Sequence, residues 1–74
     1  MPTFTIDPIL FMQIQISELY RARHNLSVNE FLELDKKCRF LEYIELSYEP
    51  FHLTGEQGII EEMEDYVREE MKIS

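Results

Sequence analysis

The chain has 74 residues, a single cysteine, no tryptophan and a formal net charge of −8 at pH 7. A chain this short forms one domain that buries only about 60% of the surface its unfolded form exposes, and one cysteine excludes an internal disulfide. One cysteine and two histidines, scattered as Cys38, His24 and His52, are too few for a structural zinc site, and no cofactor is expected.

Residues 1–6 alternate Phe4 and Ile6 with Thr3 and Thr5. The segment is too short for a sheet of its own. It reads as an extended N-terminal arm ahead of a single helical domain over 1–74, with Phe4 or Ile6 folding back on the first helix as a staple. No Lys or Arg precedes the apolar run Ile9–Met12, so no signal peptide is expected. No run approaches the ~18 apolar residues of a membrane span. The free cysteine agrees with a reducing compartment, so the expected location is the cytoplasm.

The first helix is predicted over 8–24. Asp7 is an N-cap residue and Pro8 suits the first helical position. Arg21, Arg23 and His24 complement the carbonyls of the last turn, and Asn25 fits a left-handed C-terminal residue. At roughly 100° per residue the apolar side chains fall into two groups. Ile9, Met12, Ile16, Leu19 and Tyr20 form one stripe; Leu10, Phe11 and Ile14 lie on the other side. A helix apolar on more than one face is central, or meets a partner.

Ser27-Val28-Asn29-Glu30 is a capping box that opens a second helix, about 28–37, with Val28, Phe31, Leu32 and Leu34 inward. The short connection predicts an αα-hairpin. Lys36, Lys37 and Arg39 close it. A third helix is predicted over 40–48, with Phe40, Leu41, Ile44 and Tyr48 on one side, and Pro50 ending it at Glu49. A strand over 40–46 is the local competitor. Thr54-Gly55-Glu56-Gln57 reads as a second capping box, with Thr54 as N-cap. The last helix, about 55–72, has a single stripe of Ile59, Ile60, Met63, Tyr66, Val67 and Met71. Short loops between four helices give an all-α fold, a small four-helix domain.

The charge is uneven. Up to residue 41 the acids Asp7, Glu18, Glu30, Glu33 and Asp35 balance Arg21, Arg23, Lys36, Lys37 and Arg39. Beyond it, ten acids face only Arg68 and Lys72, so the whole net charge lies there. An acidic half repels phosphate backbones and anionic membranes; it suits a basic protein partner, and neither nucleic acid nor membrane is expected as one. Nucleic-acid binding would require Arg21, Arg23, Lys36, Lys37 and Arg39 to converge on one face.

The acid pairs Glu61-Glu62, Glu64-Asp65 and Glu69-Glu70 sit on an exposed helical face, without the cleft that separates catalytic pKa values. Cys38 among three basic residues has either a lowered thiol pKa or a structural burial; no histidine lies near it in sequence. His24 reads as a cap or surface residue. His52, beside the Gly55–Gly58 helix start, reads either as a structural tie between the third and fourth helices or as part of an anion site with Tyr48, Thr54 and Gly55. The tyrosines read as core edges or, where exposed, interface residues.

His24-Asn25-Leu26-Ser27, and then Tyr48, His52, Gly55, Glu56, Ile59, Ile60 and Glu61, resemble the motifs of a family of short bacterial helical domains of unknown function. Its pattern is an apolar first helix, a His-Asn-Ile-Ser-type turn, and a Tyr-Asp…Leu-His-Thr-x-Gly segment entering an acidic last helix. This chain departs from it with Glu49-Pro50 in place of Asp and an aliphatic residue, and with Leu53-Thr54 in place of Thr and a polar residue. The resemblance supplies no catalytic residues. It implies a companion or antitoxin-like role, because such domains are similar to proteins encoded beside ADP-ribosyltransferase-like partners.

Together these readings predict a non-enzymatic protein-interaction module, forming a dimer or binding a neighbouring gene product, with Leu10, Phe11 and Ile14 as the interface. The alternative is a small ligand-binding or catalytic unit at Tyr48, His52, Thr54 and Gly55.

Overall fold

Asp7 starts the first helix as its chemistry requires: Oδ1 accepts from the Ile9 N–H at 2.8 Å, and Pro8 occupies the first turn. The computed structural model describes residues 7–73; the expected arm at 1–6, with Phe4 and Ile6, lies outside them. Helix α1 spans Pro8–His24 and ends at Asn25 in the left-handed conformation, φ 55°, ψ 46°. The Ser27–Glu30 capping box then forms in both directions, at 3.0 and 2.8 Å, and opens α2, Val28–Cys38.

A single residue separates α2 from α3, Phe40–Leu46. That residue, Arg39, is itself left-handed at φ 55°, a conformation that costs a side-chain-bearing residue roughly 1 kcal/mol or more. The strain is offset locally. Arg39 N–H donates to the Asp35 carbonyl, and Asp35 Oδ1 accepts the Leu41 N–H at 2.9 Å. A carboxylate from the end of α2 therefore caps the start of α3. The strand alternative over 40–46 does not form.

The predicted third helix divides in two. After α3 the backbone opens at Ser47, φ −102°, ψ 11°, and a short α4 follows, Tyr48–Phe51, with Pro50 inside it. Pro50 was expected to stop the helix at Glu49; instead it acts a turn upstream. A proline has no N–H for the carbonyl four residues before it, and its ring clashes with that carbonyl. Here that is the carbonyl of Leu46, and the bend falls immediately after it. Pro50 itself sits in the first turn of α4, where a missing donor costs nothing.

The last helix, α5, is Glu56–Ile73. Gly55 supplies its first acceptor, with Ile59 N–H on the Gly55 carbonyl at 3.0 Å. The predicted Thr54 cap does not form: Thr54 Oγ1 donates backward to the Pro50 carbonyl at 3.0 Å, and Gln57 Nε2 donates to Glu61. The residue occupying the cap position is glycine, which is acceptable there.

α1 packs against α3 and α5, and α2 against α3 and α5. The core is Ile16, Tyr20, Phe31, Cys38, Phe40, Ile44, Phe51, Ile59, Ile60, Met63 and Val67. An aromatic run crosses it: Phe40 meets Tyr20 edge-on at 4.9 Å and Phe31 at 5.0 Å, and Tyr43 stacks on Tyr66 at 3.9 Å. Two α2 residues expected inside, Val28 and Leu32, are exposed, because α2 turns Phe31 and Cys38 toward α3 and α5 instead. Leu19 and Met71 also lie outside, at the edges of their stripes. Among the described residues no helix is long and apolar enough to cross a membrane.

Candidate functional site: the outer face of the first helix

Ile16 and Tyr20 define the inward direction of α1, and both are buried. Gln13 reaches α3 on one flank, donating to the Leu41 carbonyl at 2.8 Å. Gln15 reaches α5 on the other, donating to Glu56 Oε1 at 2.8 Å. Further along, Arg23 Nε lies 3.1 Å and His24 Nε2 2.9 Å from Glu64 Oε2, and the His24 ring stacks on Tyr20 at 4.2 Å. These contacts run α1 and α5 in the same direction, with α5 starting beside the middle of α1. The first two turns of α1 thus project beyond the start of α5.

Leu10, Phe11 and Ile14 stand on those turns, opposite the core. They are 50%, 54% and 52% exposed, so none of the described elements covers the second apolar face. Three such side chains expose on the order of 300 Å², the scale at which a surface patch is often functional. The patch has no hydrogen-bonding group at its centre. Its borders are polar: Asp7 before it, Ser17 and Glu18 after it, with Glu18 paired to Arg21 at 3.2 Å. Chemically it can exclude water against another apolar surface.

At the alternative site Tyr48 and His52 come together, while the Thr54 hydroxyl turns away from the start of α5. His52 is exposed and ends α4, its Nδ1 3.3 Å from the Tyr48 carbonyl and its ring stacked on Tyr48 at 5.3 Å. Its hydrogen bond and its ring stack are both to Tyr48, within its own turn, and neither reaches α5. Thr54 turns to Pro50, and Gly55 caps α5. Two surface grooves lie elsewhere, one between α1 and α5 and one beside the α1–α2 turn.

Cys38 is buried, and burial pushes its thiol up rather than down, with Glu70 adding to the effect and Lys37 opposing it. Of the two readings of Cys38, structural burial is the one that holds. Four of the five basic residues of the first half are engaged with acids: Arg21 with Glu18, Arg23 with Glu64, Lys36 with Glu33 and Arg39 with Glu42. Among the described residues no group of three His, Cys, Asp or Glu side chains is placed to hold a metal.

The α1–α5 groove, lined by Leu19, Ala22, Arg23, Glu56, Gln57 and Ile60, has no counterpart among the expected sites. One signal was available. Ala22 is the only alanine of the chain and, with Ser17, one of two small side chains in α1.

No curated protein and no solved structure matches the chain. Residues 11–70, most of the helical domain including Phe11 and Ile14, match one family, and the chain belongs to it: the family described as "Protein of unknown function (DUF3791)".

Proposed function

We propose that the chain is a non-enzymatic protein-interaction module that docks through the outer face of α1. The exposure of Leu10, Phe11 and Ile14 on a helix whose other face forms the core carries this reading. Cys38, the one thiol of the chain, is buried in the core and so offers no accessible nucleophile. A second copy is the simplest occupant. Antiparallel pairing about Ile14 sets Asp7 of one copy opposite Arg21 of the other, since each lies seven positions from Ile14. Asp7 then joins the existing Arg21–Glu18 pair. A small interface needs about 600–800 Å² from each side, so the apolar patch forms its centre and the polar borders of α1 its rim. A companion or antitoxin-like role is a second use of the same face.

The test is analytical ultracentrifugation across a concentration series. The wild type is expected to dimerise, and Phe11→Glu to give a monomer with an unchanged circular dichroism spectrum. A wild type that stays monomeric at high concentration overturns the dimer.

A further inference from the structure

We infer that the groove between α1 and α5 is a second docking surface, and that its occupant is an amphipathic helix of a different, basic protein. This rests on the reading of the chain as an interaction module but uses none of the outer-face residues. The groove measures about 370 Å³ and is floored by Leu19, Ala22 and Ile60. That volume holds a few apolar side chains, as helix-in-groove recognition requires. It does not suit a small polar ligand, because the polar side chains at its edge are already committed to one another. Gln57 accepts from Arg23 and donates to Glu61, Glu56 accepts from Gln15, and Arg23 pairs with Glu64.

Charge selects the occupant. Glu64 neutralises Arg23, the one cation of the lining. Glu56 at the start of α5 and Glu61 beyond it have no cationic partner among the described residues. The rim is therefore net negative, on a chain of net charge −8. Grooves of two copies facing each other would set Glu56 and Glu61 against their own counterparts, whereas a helix with Lys or Arg beside its apolar stripe brings complementary charge. The absence of a side chain beyond Cβ at Ala22 leaves the approach to Leu19 and Ile60 open.

The probe is a synthetic amphipathic helix of roughly 15 residues, long enough to hold helical structure, with a Leu stripe flanked by Lys, and a control with Glu for every Lys. Methyl NMR of the full chain reads the site. The Lys peptide is expected to shift the Leu19, Ala22 and Ile60 methyls, with binding that weakens as salt is raised. Ala22→Trp, at an exposed position, should weaken binding at least 10-fold. The double variant Glu56→Lys/Glu61→Lys should exchange preference to the Glu peptide, an outcome that requires folded protein. Absence of shifts at these methyls, equal binding of both peptides, or shifts confined to Leu10 and Ile14 overturns the inference. Because Ala22→Trp leaves the outer face intact and Phe11→Glu leaves the groove intact, failure of one surface is separable from failure of the other.

Discussion

Tyr66 and Cys38 stand 28 residues apart, and the Tyr66 hydroxyl donates to the Cys38 carbonyl, joining the middle of α5 to the end of α2. Burial, then Glu70, raises the Tyr66 pKa above its ordinary value. Tyr66→Phe keeps the stack on Tyr43 and removes only the donor. The expected loss is about 1 kcal/mol, the usual net contribution of one such hydrogen bond, read as a lower urea midpoint with an unchanged slope.

The raised pKa values of Tyr20, Tyr66 and Cys38, each caused first by burial, fix the sign of an alkaline effect. The folded chain keeps these protons to higher pH than the unfolded chain. Stability is therefore complete below the ordinary thiol and phenol pKa values and falls as pH rises through the folded ones. Urea midpoints should decline on entering that range, less steeply in Tyr66→Phe. The Cys38 thiol should resist a disulfide reagent in the native state and react promptly in urea.

Glu30 moves in the opposite direction. The Ser27 N–H, then the Ser27 hydroxyl, hold its carboxyl below the ordinary value. Its contribution is complete above the unfolded carboxylate pKa and is lost as pH falls through the folded value. In Ser27→Ala the Glu30 titration, followed by NMR, should move up toward the ordinary value.

At Gly58 an added Cβ would lie 2.6 Å from Thr54 Cγ2. Gly→Ala inside a helix ordinarily gains up to about 1 kcal/mol. Here the β-branched Thr54 must turn, breaking its bond to the Pro50 carbonyl. Gly58→Ala is expected to destabilise the wild type by about 1 kcal/mol, and to stabilise a Thr54→Ala background. Urea melts of the four variants check the reversal.

The two faces of α1 should separate in stability. Ile16→Ala removes a buried side chain and should cost about 2–5 kcal/mol. Phe11→Ala, at an exposed position, should change monomer stability by about 0.5 kcal/mol or less. Dilution into the monomer range before melting isolates the folding term from association.

Local signals in the chain carried the helix starts and ends well. Asp7-Pro8, Asn25 and Ser27–Glu30 act as their types dictate, because a cap depends on neighbours within a few residues. The division of the α1 apolar residues into two groups was also legible, since helical angle alone sets it; that Leu10, Phe11 and Ile14 stay uncovered was not, because it depends on where the other helices pack. What was not legible depends on tertiary position. Val28 and Leu32 have the spacing of core residues, but α3 and α5 take the Phe31–Cys38 side of α2 and leave them exposed. Thr54 matches a capping pattern, yet the turn that follows α4, with Leu53 N–H on the Pro50 carbonyl and Thr54 N–H on that of Phe51, brings the Pro50 carbonyl within its reach. The α1–α5 groove is lined by residues of two helices, Ala22 among them, and no single-helix pattern encodes that.

The Asp35 carboxylate on the Leu41 N–H has a dynamic consequence. A helix of seven residues such as α3 has no independent stability in water. Its first turn depends on a group from α2, and only Arg39 lies between them. Fraying of the last turn of α2 therefore releases the first turn of α3. The amide protons of both segments should exchange with deuterium as one cooperative unit, and Asp35→Ala should accelerate exchange across both helices while leaving the far end of α5 slow.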